Sequence, residues 1–358
     1  MGLMDSIKSG AKRAAKKALA EACKSDDTKT GGATPQNSEE YAEKVSDAIQ
    51  ADVRMFSGCK DCQTSADVQD VSKFGLPNAD GSGGACTNAL LLTLANNEAN
   101  SWLSVLKGMQ HTLKKKRFSQ IPQLSASRPI DINDTFSLTN PAGSGAKKSL
   151  LIGINYIGQQ GELRGCHNDV MVMREFIATH GYGMDPDSCL VMMDDGKHPT
   201  PDHQGVLDGF RWLVSGATAG DSLFVHYSGH GGSVKDTSGD EADNMDETLV
   251  PVDYRRTGQI TDDVILKELV MVLPEGVTMT VVMDCCHSGS ILDLPYTIMA
   301  DEGTISSVEA GESSSLLGLN PNFDIIKMIR AARDIYAMVK GGDMDIMKIG
   351  KIAKVALS

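Results

Sequence analysis

Two glycine-flanked segments carry the residues best suited to covalent chemistry. His230 stands in SGHGG, and Cys285 and Cys286 stand in DCCHSG; each segment directly follows a short apolar run. In an open parallel sheet, ligands bind beyond the carboxyl ends of the strands. A cysteine alone is typically a small buried hydrophobe, and a single histidine at a strand end is typically a core residue. The two segments together instead favour a thiol nucleophile activated by an imidazole.

From residue 150 onward, predicted strands alternate with predicted helices, and these elements must position the two segments. Such alternation is typical of a parallel sheet with helices on both faces. Strand signals stop at residue 297, and Ser306–Ser315 is expected to be a polar loop. The predicted strands are 53–57, 120–127, 150–156, 190–193, 221–227 and 278–283, and the predicted helices are 38–51, 85–94, 102–116, 168–179, 202–215, 262–272, 323–339 and 345–356.

Composition narrows the class of protein. The chain has 358 residues, of which 41% are hydrophobic and 23% charged, and its net charge is −13. These values are typical of a globular protein and argue against a nucleic-acid binder, which needs a basic face. The sequence contains neither an apolar run long enough to span a membrane nor a signal-peptide core. Eight cysteines are too few for a disulfide scaffold, so we expect thiols in the cytoplasm.

The first 24 residues differ from the rest, because they are alanine-rich and carry a charge of +4. A basic amphipathic helix is expected here. Gly2 lies in an M-G-x-x-x-[ST] pattern, which is typical of myristoylation, and the basic helix would supply a second membrane signal. The alternative is an ordinary soluble helix.

The two site segments resemble those of the metacaspases, which are caspase-like cysteine peptidases. LRGCHND (163–169) and GQITDD (258–263) match the same family. The small-subunit region of the family is matched by MFSGCKDCQTSADV (55–68), GGACTNALLLTL (83–94) and QIPQLSASRPIDINDTFSLT. This region precedes the large-subunit region here, as in the type III arrangement, and the resemblance covers about residues 40–297.

The resemblance implies a caspase-like three-layer α/β sandwich, with one mostly parallel sheet and helices on both faces. It also implies that residues 38–297 form one catalytic unit. The implied parts are a basic N-terminal segment and linker (1–37), a small-subunit-like region (38–138), a linker (139–148), a large-subunit-like catalytic region (149–297) and a C-terminal extension (298–358).

Family resemblance assigns the nucleophile to Cys286 and its partner base to His230, as a dyad without a third member. The backbone amides of Gly231 and Cys286 would hold the oxyanion of a thioester-forming reaction. Neighbouring residues on a strand point to opposite faces, so Cys285 is expected to be buried. His287 has no role in this assignment.

The same resemblance places Asp169, Asp284, Cys166 and Ser228 in the specificity pocket. Asp284 lies two residues before Cys286 and therefore points to the same side. Two buried carboxylates are costly unless a cation pairs with them, so the pocket predicts cleavage after Arg or Lys of protein substrates. In the alternative reading, Asp169 caps the helix that follows it.

An acidic cluster begins in residues 236–247. A solvated acidic loop is the simplest reading of such a run. Similarity to calcium-dependent metacaspases instead implies Ca²⁺ as the cofactor, with Asp246, Asp262, Asp263 and Asp293 as ligands. We expect calcium to activate a single chain without obligatory cleavage between the subunit regions.

Two other classes of protein remain open. One is a non-enzymatic caspase-like binding module, against which the intact Cys286 and His230 argue. The other is a different peptidase of the same clan, such as a legumain-like enzyme, against which the match at 55–68 argues. The lone C-x-x-C of Cys59 and Cys62 lacks the second pair that a zinc site needs, so unpaired thiols are expected there.

Overall fold

A single mixed sheet organises the described part of the chain. Its strand order is β13-β12-β4-β1-β11-β7-β5-β6, and a separate three-stranded sheet has the order β10-β9-β8. The strands are, in chain order, β1 (Asp52–Ser57), β2 (Asp67–Val68), β3 (Gly83–Gly84), β4 (Gln123–Ala126), β5 (Lys147–Gly153), β6 (Cys189–Met193), β7 (Ser222–Ser228), β8 (Gly231–Lys235), β9 (Met245–Leu249), β10 (Ile260–Thr261), β11 (Thr278–Asp284), β12 (Tyr296–Met299) and β13 (Gly318–Leu319).

The computed structural model describes residues 45–58, 67–68, 83–95, 100–141, 143, 145–235, 245–285, 288–311, 318–320, 323, 327–328, 331–332 and 334–335. All of these belong to one unit, Asn37–Ser358. The predicted basic helix with Gly2, the pair Cys59 and Cys62, the acidic residues 236–244, and both Cys286 and His287 lie outside the described residues. Within those ranges, no helix has the length and apolar character that crossing a membrane requires.

Five neighbouring strands, β1-β11-β7-β5-β6, are parallel, and β4, β12 and β13 extend the sheet in antiparallel fashion at one edge. The α/β sandwich with a mostly parallel sheet is therefore confirmed. Strands β1 and β4 come from the region before residue 139, yet β1 pairs directly with β11. Strands from both sides of the predicted 139–148 linker thus share one sheet.

Helices cover the two faces of this sheet. The strand residues alternate between two hydrophobic cores: in β7, Val225 packs into one core and Phe224 into the other. One core holds helices α1, α2, α3 and α7, and the other holds α4 and α6. The helices are α1 (Ala85–Ala95), α2 (Trp102–Lys115), α3 (Cys166–Thr179), α4 (His203–Val214), α5 (Tyr254–Thr257), α6 (Asp262–Ile265) and α7 (Glu302–Glu309).

The structure corrects three predictions. Strand signals do not stop at residue 297, because β12 and β13 follow; they are short edge strands of four and two residues, too brief for a clear alternation. The expected polar loop at 306–315 is partly helical, since Asp301 caps α7 by accepting a hydrogen bond from the Thr304 amide at 2.8 Å. The predicted helix 262–272 is one α-helical turn followed by a π-helical turn, Leu266–Val270.

One buried histidine lies in the middle of the sheet. His226 of β7 is fully buried, and its Nε2 lies 3.1 Å from the Thr87 Oγ1 of α1. Burial lowers the pKa of His226 to about 3, because a charged imidazole loses its hydration there. The folded protein therefore keeps this histidine neutral.

Stability should consequently fall on acidification. The unfolded chain takes up a proton near pH 6.5 and the folded chain only near pH 3, so His226 lowers the free energy of unfolding by up to about 1.4 kcal/mol per pH unit between these values. We expect His226→Gln to flatten this slope in urea unfolding measured at pH 7.5, 5.5 and 4.5. The exposed His180→Gln variant should keep the wild-type slope; identical slopes in all three proteins would contradict the assignment.

Candidate active site

The loops that follow β7 and β11 run side by side. These strands are parallel neighbours in which Ser228 lies opposite Asp284, and the Gly229 amide donates to the Asp284 carbonyl at 3.4 Å. The next residues are His230 on one loop and Cys285 on the other. Cys285 is buried, as strand alternation predicts. Cys286 itself lies outside the described residues.

Two tyrosine hydroxyls hold the backbone of His230. The His230 amide donates to the Tyr156 Oη at 2.9 Å, and the Tyr227 hydroxyl donates to the His230 carbonyl at 2.8 Å. The Tyr156 and His230 rings are 4.6 Å apart between centroids. Burial raises the pKa of both tyrosines, so their hydroxyls remain hydrogen-bond donors. The histidine is therefore fixed on both sides before any substrate arrives.

The imidazole of His230 also has a backbone partner. Its Nε2 lies 2.6 Å from the carbonyl oxygen of Gly161. A carbonyl oxygen can only accept, so Nε2 carries the proton of a neutral ring and Nδ1 is the nitrogen that can receive one. The family resemblance implies a dyad without a third side chain, and the group that orients His230 is a main-chain oxygen.

Two predicted pocket carboxylates meet at the N-terminus of α1. Asp169, 1% exposed, accepts from the Gly84 amide and the Ser228 hydroxyl, both at 2.7 Å. Asp284, 5% exposed, accepts from the Thr87 amide at 2.7 Å. Backbone amides at a helix N-terminus stabilise negative charge. The alternative reading of Asp169 is wrong, because α3 has no side-chain cap and the carboxylate binds a different helix.

Gly84 lies between these carboxylates. A Cβ at this position would approach the Asp284 Oδ2 to 2.1 Å and the Asp169 Oδ2 to 3.0 Å. Only a residue without a side chain lets the backbone pass here. Asn88 completes the arrangement, because its amide donates to the Gly84 carbonyl at 2.7 Å and to Asp169 at 3.3 Å.

The other two predicted pocket residues border the same region. Ser228 ends β7 and donates to Asp169. Cys166 begins α3 and is buried, and its amide donates to the Asn155 side chain at 3.0 Å. The carbonyl of Cys166 packs so closely on Gly153 that a Cβ there would come within 2.6 Å. The structure thus brings Asp169, Asp284 and Ser228 into direct or shared contact, with Cys166 beside them.

Three of the four predicted calcium ligands contact a lysine. The Lys327 Nζ lies 2.7 Å from Asp293, 3.0 Å from Asp262 and 3.7 Å from Asp263. The fourth predicted ligand, Asp246, directly precedes Glu247 in the sequence. The Glu247 amide donates a hydrogen bond to the Asp262 carboxylate at 3.2 Å. Burial and the nearby Asp293 carboxylate raise the pKa of Asp262, whereas the lysine opposes the shift.

These oxygens do not form an open metal site in the structure. Within the part of the chain that is described, no group of three or more His, Cys, Asp or Glu side chains is arranged to hold a metal ion. The ammonium of Lys327 takes the central position among three of the four aspartates instead. The donor chemistry suits a hard cation, but the arrangement is that of an internal ion pair.

The fold and the paired strand-end loops define a caspase-like cysteine peptidase. Residues 147–295 match the family described as "Metacaspase, peptidase C14 domain", and residues 4–132 match the one described as "Caspase domain". The chain is 46% identical over 300 residues to "Metacaspase III c" of Phaeodactylum tricornutum, covering 81% of this chain and 86% of that protein. It therefore belongs to the metacaspases, and it is a cysteine endopeptidase.

Fungal relatives match a smaller part of this chain. "Metacaspase-1" of Mycosarcoma maydis is 44% identical over 201 residues, which is 55% of this chain and 48% of that protein. "Metacaspase-1A" of Neurospora crassa is 46% identical over 175 residues, or 47% and 38% of the two chains. The chain therefore spans about half or less of these fungal proteins.

At least five residues that shape the site could not be predicted from the sequence. Tyr156 and Tyr227 only end predicted strands, Thr87 only lies near the start of a predicted helix, and no role is predicted for Asn88 or Lys327. The only available signal was the turn-rich glycines before α1, because the partners of these residues lie far away in the chain.

The Gly161 contact yields a sharp test with a matched control. Gly161 has φ +88° and a Cβ there would lie 3.3 Å from the His230 Nε2, whereas Gly158, in the same loop with φ +73°, has nothing within 4 Å. Both alanine variants strain the backbone, but only Gly161→Ala displaces the imidazole. We expect it to lower kcat/KM at least about tenfold more than Gly158→Ala.

Thermal stability separates positioning from general damage. It should be equal in Gly161→Ala and Gly158→Ala, because both variants strain the same loop, whereas loss of the Nε2–H donation should lower kcat/KM further in Gly161→Ala only. Equal kinetics in the two variants would show that the carbonyl does not orient His230.

Proposed function

We propose that this metacaspase cleaves proteins after Arg or Lys with a dyad of Cys286 and His230 and a thioester acyl-enzyme. The observation that carries the proposal is the hydrogen bond from the Gly229 amide to the Asp284 carbonyl. It joins the ends of β7 and β11 side by side, and the His230 and Cys286 motifs directly follow these two strand ends in the sequence.

In the proposed reaction, the Nδ1 of His230 takes the thiol proton of Cys286. The thiolate attacks the peptide carbonyl, and the amides of Gly231 and Cys286 stabilise the oxyanion, an effect of about 3 kcal/mol per donor. The C–N bond then breaks while Nδ1 returns the proton to the leaving amine. Water then gives a proton to Nδ1 as it attacks the thioester. The C–S bond breaks, the carboxylic acid product leaves, and Nδ1 returns the proton to the Cys286 thiolate.

The proposed specificity rests on the buried carboxylates. Asp169 and Asp284 both approach Gly84, and the described donors to them are backbone amides, a hydroxyl and a side-chain amide. These donors orient the carboxylates without contributing a positive charge. A carboxylate accepts about four hydrogen bonds, and the guanidinium fork of arginine supplies several charged donors. We therefore place the basic side chain of the substrate here, with lysine as the second choice.

Calcium as the activating cation is also part of the proposal. It is supported by the donor chemistry of Asp246, Asp262, Asp263 and Asp293, because hard cations prefer carboxylate oxygens. In the structure, the Lys327 ammonium forms ion pairs with three of these carboxylates. No step of the proposed reaction is routed through calcium.

Two further elements of the proposal concern activation and location. Because β1 pairs with β11, the regions before and after residue 139 need no cut between them to build one sheet. The cytoplasm as the location is supported by the sequence, because eight cysteines in 358 residues are too few for a disulfide scaffold. Attachment to a membrane through Gly2 and the basic helix stays a proposal from the sequence.

Two adjacent cysteines allow a direct test of the nucleophile. Cys286→Ala should abolish hydrolysis of a fluorogenic arginine peptide, lowering kcat by at least about 10³-fold. Cys285→Ala should retain most activity, because that side chain is buried in the core. Activity surviving in Cys286→Ala, or lost only in Cys285→Ala, would refute the assignment; a chain inactive on every substrate would instead favour the binding module.

The pocket is tested by neutralising each carboxylate without changing its shape. Asp169→Asn and Asp284→Asn should each lower kcat/KM for arginine and lysine peptides by about tenfold or more, since a charge-assisted hydrogen bond is lost. The exposed Asp208→Asn variant is the control. A panel with Arg, Lys, Asp and Asn before the scissile bond measures the effect, and a wild-type preference for Asp would overturn the proposed specificity.

A further inference from the structure

The ion pairs of Lys327 are unusual because the lysine is almost completely buried. It is 2% exposed, and its Nζ contacts carboxylates from the end of the small sheet and from the loop that follows β11. Removing an ammonium from water is costly unless opposite charges compensate for it. Asp262 and Asp293 are buried as well. The lysine ammonium and these carboxylates therefore stabilise one another in the protein interior.

Lys327 is carried by a C-terminal helical segment, here defined by its described residues 327–328, 331–332 and 334–335. Its described apolar residues are buried in the same core as α6. Met328 and Ala332 are four apart, as are Ala331 and Ile335, which places each pair on one side of a helix. A second ion pair joins Asp334 to Lys267 at 2.6 Å near the surface. The C-terminal helical segment is thus held by an apolar face and by one deeply buried charge.

The Lys327 ammonium contacts three of the four carboxylates that the proposed calcium role assigns to the cation. Calcium takes six to eight oxygen ligands and would draw on the same carboxylates of Asp262, Asp263 and Asp293. Two cations sharing these oxygens would lie within a few ångströms of each other and repel strongly. The lysine and a bound calcium ion therefore exclude one another.

We propose that Lys327 is a tethered cation that competes with calcium for Asp262, Asp263 and Asp293, so that calcium binding expels the C-terminal helical segment. The inference rests on the proposed calcium role and adds a regulatory segment to it. Asp293 lies seven residues beyond Cys286. Exchange of the cation at Asp293 therefore acts on the chain that follows the nucleophile.

Isothermal titration with calcium tests the competition directly. All proteins carry Cys286→Ala, which prevents self-cleavage during the titration. Lys327→Met removes the charge and keeps the length of the side chain, so it should bind calcium at least about tenfold more tightly than the parent. Lys267→Met removes a positive charge that contacts the same segment at the surface, and it should change the affinity less than about twofold. Lys327→Arg keeps the competitor and should bind no more tightly than the parent.

Hydrogen exchange of residues 327–335 provides a second measurement that does not depend on a variant. Saturating calcium should increase exchange in this segment of the parent protein, because the segment is released. Unchanged protection at saturation, or equal affinities of the parent and Lys327→Met, would overturn the proposal. If neither protein bound calcium while the active enzyme still cleaved arginine peptides, the competition and the calcium role would both fail and the peptidase proposal would stand.

Discussion

Buried carboxylates are the constraint on which the structure depends. Asp169, Asp284, Asp262 and Asp293 are all removed from water, and each is matched by a donor from elsewhere in the chain. The N-terminal region supplies the amides of Gly84 and Thr87. The C-terminal extension supplies Lys327. The catalytic region thus depends on polar partners from both of its flanks.

This constraint explains how a rearranged chain builds one enzyme. The small-subunit-like region comes first, yet β1 lies beside β11 and β4 continues the sheet toward β12. The first turn of α1 then reaches the two pocket carboxylates. Separating the two regions would break a parallel strand pair and leave buried charges without their amides, which is far costlier than losing a surface contact. The pocket and the sheet are therefore parts of the same folded unit.

Much of the fold could be predicted from the sequence because its strands are strongly apolar. Strand β11 spans 278–284 against the predicted 278–283, and α3 spans 166–179 against 168–179. The two edge strands after residue 295 were missed because short edge strands carry little alternation. The π-helical turn after α6 was not predicted, because its apolar residues follow a periodicity close to that of a regular α-helix.

The contacts within the site could be predicted less well than the fold, for a different physical reason. The sequence identified His230 and the acidic residues, since their motifs are local. It could not show that Tyr156 and Tyr227 hold the backbone of His230, or that Lys327 enters the acidic cluster. Those contacts join residues that are far apart in the chain, and a single lysine within an apolar helical pattern carries no signal of its partner.

The central claim is that two buried carboxylates select a positive charge. The most direct measurement compares kcat/KM for peptides that are identical except for arginine or citrulline before the scissile bond. Citrulline has nearly the same shape as arginine but is neutral. The account predicts that the arginine peptide is cleaved at least about a hundredfold faster, as expected for the loss of charge-assisted hydrogen bonds in a buried pocket. Equal rates for the two peptides would contradict it.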